Sequence, residues 1–184
     1  MRVGVAHHFG WAVVVTASAD HRVVDRRRIE LVEPGTPVAP VHSDGAALDD
    51  VAAADLVARV RASAGRATAA ALGDLAADVG APIVSLSLRA WPPDFPADLA
   101  TLRRAPYEAR ADSVMYRQVL AECAQARGWA VHLFDANDVE ARAARLLGRP
   151  PERPAGPPWT KDHRVALAAT ILAAQSSGRR SDTR

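Results

Sequence analysis

Residues 1–17 read MRVGVAHHFGWAVVVTA. Two short apolar runs, Val3-Gly4-Val5-Ala6 and Trp11-Ala12-Val13-Val14-Val15, flank His7-His8-Phe9-Gly10. Runs this short, rich in valine and parted by a glycine turn, predict two buried strands in a hairpin. A third run follows, in which Val23, Ile29, Leu31 and Val32 interleave with Val24, Arg26, Arg28 and Glu30. The opening is therefore read as a three-strand antiparallel meander that founds a sheet.

Downstream the pattern changes. Pro34, Pro37, Pro40 and Gly45 mark a loop. An alanine-rich segment from about Ala46 to Val79 then carries Leu48, Val51, Val57, Val60, Leu72, Leu75 and Val79 on a helical stripe. Asp49 and Asp50 suit its positive end. Gly65 and Gly73 weaken it, so the segment is read as two helices or one with a bend. Ile83–Leu88 predicts a fourth strand, and Ala130–Phe134 a fifth. Asp112-Ser113 is read as the start of the helix between them, with Met115, Val119, Cys123 and Ala126 on its stripe and Gly128 as its C′ residue. Asn137 or Asp138 caps a short helix to Leu147. Thr160 caps the last helix, which carries Val165, Leu167, Ile171 and Leu172.

Strands come first and strand–helix units after, which predicts an α/β fold: a mixed five-stranded sheet, three antiparallel strands then two parallel, with helices on both faces. With 184 residues, residues 1–175 are expected to form a single domain and 176–184 a disordered basic tail. No window approaches about 18 uninterrupted apolar residues, which argues against a membrane partner. His7, His8 and Asp20 break up any secretory h-region. The one cysteine, Cys123, fits a reduced, cytoplasmic protein. A net charge of +2 permits nucleic-acid contact without requiring it. Lys161 is the only lysine among the cations.

Three stretches and this element order resemble the ribonuclease H-like superfamily, in its Holliday-junction resolvase and YqgF-like branch. They are Arg2–Ala6 with Gly10–Val13, Ala111-Asp112-Ser113-Val114, and Lys161-Asp162-His163-Arg164-Val165-Ala166-Leu167-Ala168. The resemblance implies the fold and, for active members, acidic residues on the first strand, the fourth strand and the closing helix that hold two metal ions. Those positions here carry Ala6 or His7, a residue near Ser87, Asp162 and Val165. One carboxylate of four remains, and histidine in place of aspartate removes charge that magnesium needs. The resemblance thus implies a domain without the standard metal site, used to bind nucleic acid or as an accessory module.

An edge shared by strands one, four and five would collect ligands. His7 or His8, Asp135, Lys161 and Asp162 are the candidate catalytic residues, with Asp162 and His7 as ligands for a divalent metal ion in an alternative reading as a metal-dependent nuclease or phosphoester hydrolase. Adjacent strand histidines point to opposite faces, so one of the two is expected in the site. Arg89, Trp91, Arg103, Arg104, Tyr107 and Arg110 lie on or beside a proline-rich loop. Arginines among aromatics suit bases and phosphates, or a homodimeric protein-interaction surface. The chain lacks GxxxxGK[ST], GxGxxG, HExxH, GxSxG and paired CxxC, which excludes the usual nucleotide hydrolases, dehydrogenases, zinc proteases and serine hydrolases.

Overall fold

The computed structural model describes residues 1–178, the last three as backbone only. The opening meander is present: β1 (Arg2–His7), β2 (Trp11–Ala17) and β3 (Val23–Glu30) pair antiparallel in sequence. Gly10, at φ 77°, closes the first turn. Next come α1 (Asp50–Val79), β4 (Ser85–Arg89), α2 (Leu99–Leu102), α3 (Glu108–Ala126), β5 (Ala130–Phe134), α4 (Val139–Leu147) and α5 (Lys161–Gly178). The sheet order is β3-β2-β1-β4-β5, with β1, β4 and β5 parallel. This is the mixed sheet expected, three antiparallel strands followed by two parallel ones. No helix among the described residues is long and apolar enough to cross a membrane.

The pleat divides the sheet residues between two cores. Val3, Val5, Val14, Leu86 and Leu88 face α1 and α3, where they meet Leu56, Val60, Leu72, Leu75, Tyr116 and Leu120. On the opposite face Val15, Ala17 and Phe134 meet α4 and α5 through Val139, Ala143, Leu167 and Ile171. There α5 lies almost on the backbone of β1. A Cβ added at Gly4 would stand 1.9 Å from the carbonyl oxygen of Ala166.

Of two expectations about helices, one is decided between its alternatives and one is corrected. The alanine-rich segment forms one helix, beginning at Asp50 with Asp49 as its cap, whose carboxylate accepts the N–H of Ala52 (2.9 Å). Its two glycines are held by α3: Cys123 Sγ reaches the Gly65 carbonyl (3.7 Å), and Arg127, passing Gly73, donates to the Ala69 carbonyl. Tertiary contact outweighs a propensity cost of about 1 kcal/mol per glycine. The buried stripe runs through Ala53, Leu56, Val60, Ala64, Leu72 and Leu75, while Val51 is 75% exposed. Small residues carry much of the line, so a stripe judged by large side chains is displaced.

The correction concerns α3, which starts at Glu108 rather than Asp112. Asp112 is buried within the helix, and its two carboxylate oxygens accept the N–H groups of Val41 (3.0 Å) and His42 (2.9 Å). It anchors the loop between β3 and α1 instead of capping a helix. Burial raises its carboxyl above the ordinary range.

Thr160 precedes α5 as expected. Its N–H and hydroxyl meet Nδ1 of the buried His163 at 3.2 and 2.8 Å, so the histidine reaches back to the cap N–H as Glu or Gln does in one half of a capping box. Burial lowers the His163 pKa, in keeping with a neutral ring that accepts at Nδ1. The α5 backbone continues past the expected start of the tail, to Gly178; residues 179–184 lie outside the described residues.

Candidate functional site

Because β1, β4 and β5 run parallel, their carboxyl ends meet at one edge, where a crevice is expected. The close seat of α5 on Gly4 brings the first turn of that helix to the same edge. The result is a cleft of about 420 Å³ lined by Ala6, His7, His8, Arg89, Phe134, Asn137, Lys161, Asp162 and Val165, among others.

Both histidines line it, which corrects the expectation of one. They do point to opposite faces, but the cleft wraps around the end of β1. His8 turns toward α5, and its Nε2 lies 3.0 Å from Asp162 Oδ2. The ring stacks on Trp11 (centroids 4.0 Å apart, 11° between planes), and the Arg28 guanidinium covers that indole at 4.2 Å. His7 turns toward α3, where its Nε2 lies 2.9 Å from Ser113 Oγ. Burial, then the charges of Arg117, His8 and Arg89, press the His7 pKa from 6.5 to about 3. It is neutral at physiological pH.

Arg117, one turn beyond Ser113, is 4% exposed. Its Nε donates to the Ser113 carbonyl (3.0 Å), Nη1 to the carbonyls of Ala90 (2.6 Å) and Arg89 (3.3 Å), and Nη2 to Ser113 Oγ (3.3 Å). Among the described residues no carboxylate pairs with it. Burial, followed by repulsion from Arg89 and Arg110, lowers its pKa to about 10. Sequence reading passed over this residue. The signal was present in the spacing of Ser113 and Arg117, one helical turn apart, but nothing local marks a buried cation.

The remaining candidates are distributed as follows. Asp135 is exposed, and its Oδ1 accepts the Asn137 N–H (2.9 Å) in a turn of its own. Trp91 lies over Arg117 at 5.8 Å. Arg103 pairs with Asp50 (2.8 Å) and reaches carbonyls at the start of α1, and Tyr107 meets Phe95 edge-on at 5.8 Å. Trp91 and Arg103 fasten the proline-rich loop to the body of the protein, and Tyr107 joins two points of the loop itself. Arg104 and Arg110 are exposed.

Ala6 and Val165 stand in the cleft where the resemblance puts acids. Ser87, where it puts another, is 1% exposed on the face that meets α5. Asp162 is the only carboxylate in the lining, and it is engaged by His8. Among the described residues, no group of three or more His, Cys, Asp or Glu side chains is placed to hold a metal ion. The donors that dominate are cationic or neutral N–H groups, which suit an anion and not a magnesium ion.

RuvC of T. thermophilus in complex with a Holliday junction substrate is similar over 99% of this chain and 96% of its own, with 12% identity and a TM-score of 0.53. The chain has the ribonuclease H-like fold of that resolvase. A second structure, Thermus thermophilus RuvC, covers the same shares at 12% identity with a TM-score of 0.44. No family model and no curated protein sequence matches the chain.

Proposed function

We propose that this protein is a ribonuclease H-like domain that binds nucleic acid without cutting it by two-metal chemistry, as a binding or accessory module. The observation that carries this reading is the loss of carboxylates at the first-strand position, Ala6 or His7, and at Val165, in a cleft that also presents Arg89 and Lys161. The lone acid, Asp162, is bound to His8. Two magnesium ions need several oxygen ligands to offset their charge, and a neutral imidazole with two cations raises the cost of bringing them in. The similar resolvase was solved with a Holliday junction substrate, which favours a nucleic-acid partner here. The test is retention of fluorescent single-stranded, duplex and four-way DNA across a salt series. Binding that weakens steeply with salt is expected, with no cleavage in magnesium or manganese. Binding absent at low salt overturns the proposal.

One observation favours a second reading, a remodelled phosphoester hydrolase. His8 is oriented by a carboxylate and opens on the cleft, an arrangement that serves general-base chemistry. That reading requires cleavage of one of the same DNAs, lost in both His8→Ala and Asp162→Asn.

A further inference from the structure

Resting on the nucleic-acid reading, we infer that Arg89, Lys161 and the Nδ1–H of His7 form a phosphate subsite in the cleft, with Arg117 and Ser113 as the residues that set the His7 ring. The ligand is a phosphate group: a backbone phosphodiester of a nucleic acid in the first instance, or free inorganic phosphate as the other source of the same chemistry.

Ser113 Oγ accepts from Arg117 Nη2 and stands 2.9 Å from His7 Nε2. A hydroxyl that accepts from a guanidinium keeps its own proton to give, and in the proposed subsite that proton goes to Nε2 rather than the oxygen accepting a second time. The ring proton then resides on Nδ1, where no partner occupies it among the described residues. A histidine at a strand end beside a cleft thus becomes a fixed donor. Its depressed basicity, about 3, keeps it neutral under the field of the arginines.

Charge points to the same place. A buried guanidinium is normally paired, because an uncompensated charge inside a protein is strongly destabilising. Arg117 is buried on carbonyls and the Ser113 hydroxyl, with no carboxylate among its described partners, while Arg89 and Arg110 stand close enough to repel it. Three like charges converge without a counter-ion among the described residues. An anion in the cleft relieves that repulsion, and Arg89 and Lys161 are the side chains in its lining that reach it directly. Asp162 is the opposing charge in the lining, and its place on His8 limits its effect. The charge logic therefore gives Asp162 a sign opposite to that of a metal ligand.

The experiment is fluorescence anisotropy with a labelled single strand and its duplex, across salt, on the full chain and on Arg89→Gln, Lys161→Gln and Asp162→Asn. Each cation removed is expected to weaken binding alike on unrelated sequences and to lower the salt slope by about 1. Asp162→Asn is expected to bind as tightly as the parent or more so. If the parent binds with a salt slope that neither cation variant changes, the subsite is wrong while the proposed function stands. If the parent binds no DNA but inorganic phosphate shifts the His7 ring signals, and the cation variants abolish that shift, the subsite stands for free phosphate and the proposed function falls. Binding lost in Asp162→Asn overturns the charge argument. The role of Ser113 is read separately, from ¹⁵N shifts of the His7 ring. The Nδ1–H tautomer is expected in the parent and its loss in Ser113→Ala; an Nε2–H tautomer in the parent overturns the assignment of the donor.

Discussion

Helices cover both faces of the sheet, yet they stand off from it by different means. On the face of α1 and α3 the gap is filled by large side chains: Leu72, Leu75, Leu86, Leu88, Tyr116 and Leu120 are each almost wholly buried. On the other face α5 presents Ala166, Ala168, Ala169 and Ala173, and Gly4 lets its backbone touch β1. The first face is a core of interdigitated volume, which can relax around a lost group at a cost. The second is a contact of backbone on backbone, with no slack for an added atom. The site depends on the second, since it brings Lys161 and Asp162 to the end of β1.

The contrast is broken most severely at Gly4. Gly4→Val is expected to cost about 4 kcal/mol or more, because its Cβ already overlaps the Ala166 carbonyl and the strand cannot move without its neighbours. Urea unfolding measures it, and a loss below about 1 kcal/mol would mean that α5 slides freely. Leu120→Ala, on the opposite face, is expected to cost about 3 kcal/mol. It should leave DNA binding unchanged at a given folded fraction, since α5 does not rest on it.

The two histidines carry the same contrast to smaller effects. The unfolded chain takes up the proton that folded His7 refuses, so stability rises with pH between about 3 and 6.5. From pH 6.5 to pH 5 the loss assigned to His7 is roughly 1.5 kcal/mol. His7→Gln should flatten that slope in chemical denaturation at a series of pH values, and an unchanged slope would contradict a buried neutral ring. His8→Ala is expected to cost less than about 1 kcal/mol, because its pair with Asp162 is largely open to solvent. Thermal melts that place His8 above His7 in stability effect would reverse the assignment of faces.

The strands were legible because their signal is local. Valine runs, the turn at Gly10 and the alternation at Ser85–Leu88 each act within a few residues. The juxtaposition of Asp162 with the His7-His8 turn was legible only through the expected sheet topology and the family resemblance, since no local rule links residues so far apart in sequence. What escaped was set by distant partners. The continuity of α1 depends on Cys123 and Arg127 from α3. The role of Asp112 depends on the amides of Val41 and His42. Arg103 and Tyr107 read as available for a ligand, but they are spent on Asp50 and Phe95. Arg117 resembled any helix-surface arginine until the loop after β4 closed over it with the carbonyls of Arg89 and Ala90.

The meeting of Gly4 with Ala166 has a temporal side. Of the elements described, a ribosome releases β1 before all the others and the helix that seals it after them. Through most of synthesis the α1–α3 layer can assemble, while one side of the founding strand waits for its lid. A nascent chain arrested after β5 should therefore hold a half-closed sheet that proteases attack, and release of the final helix should end that vulnerability at a stroke.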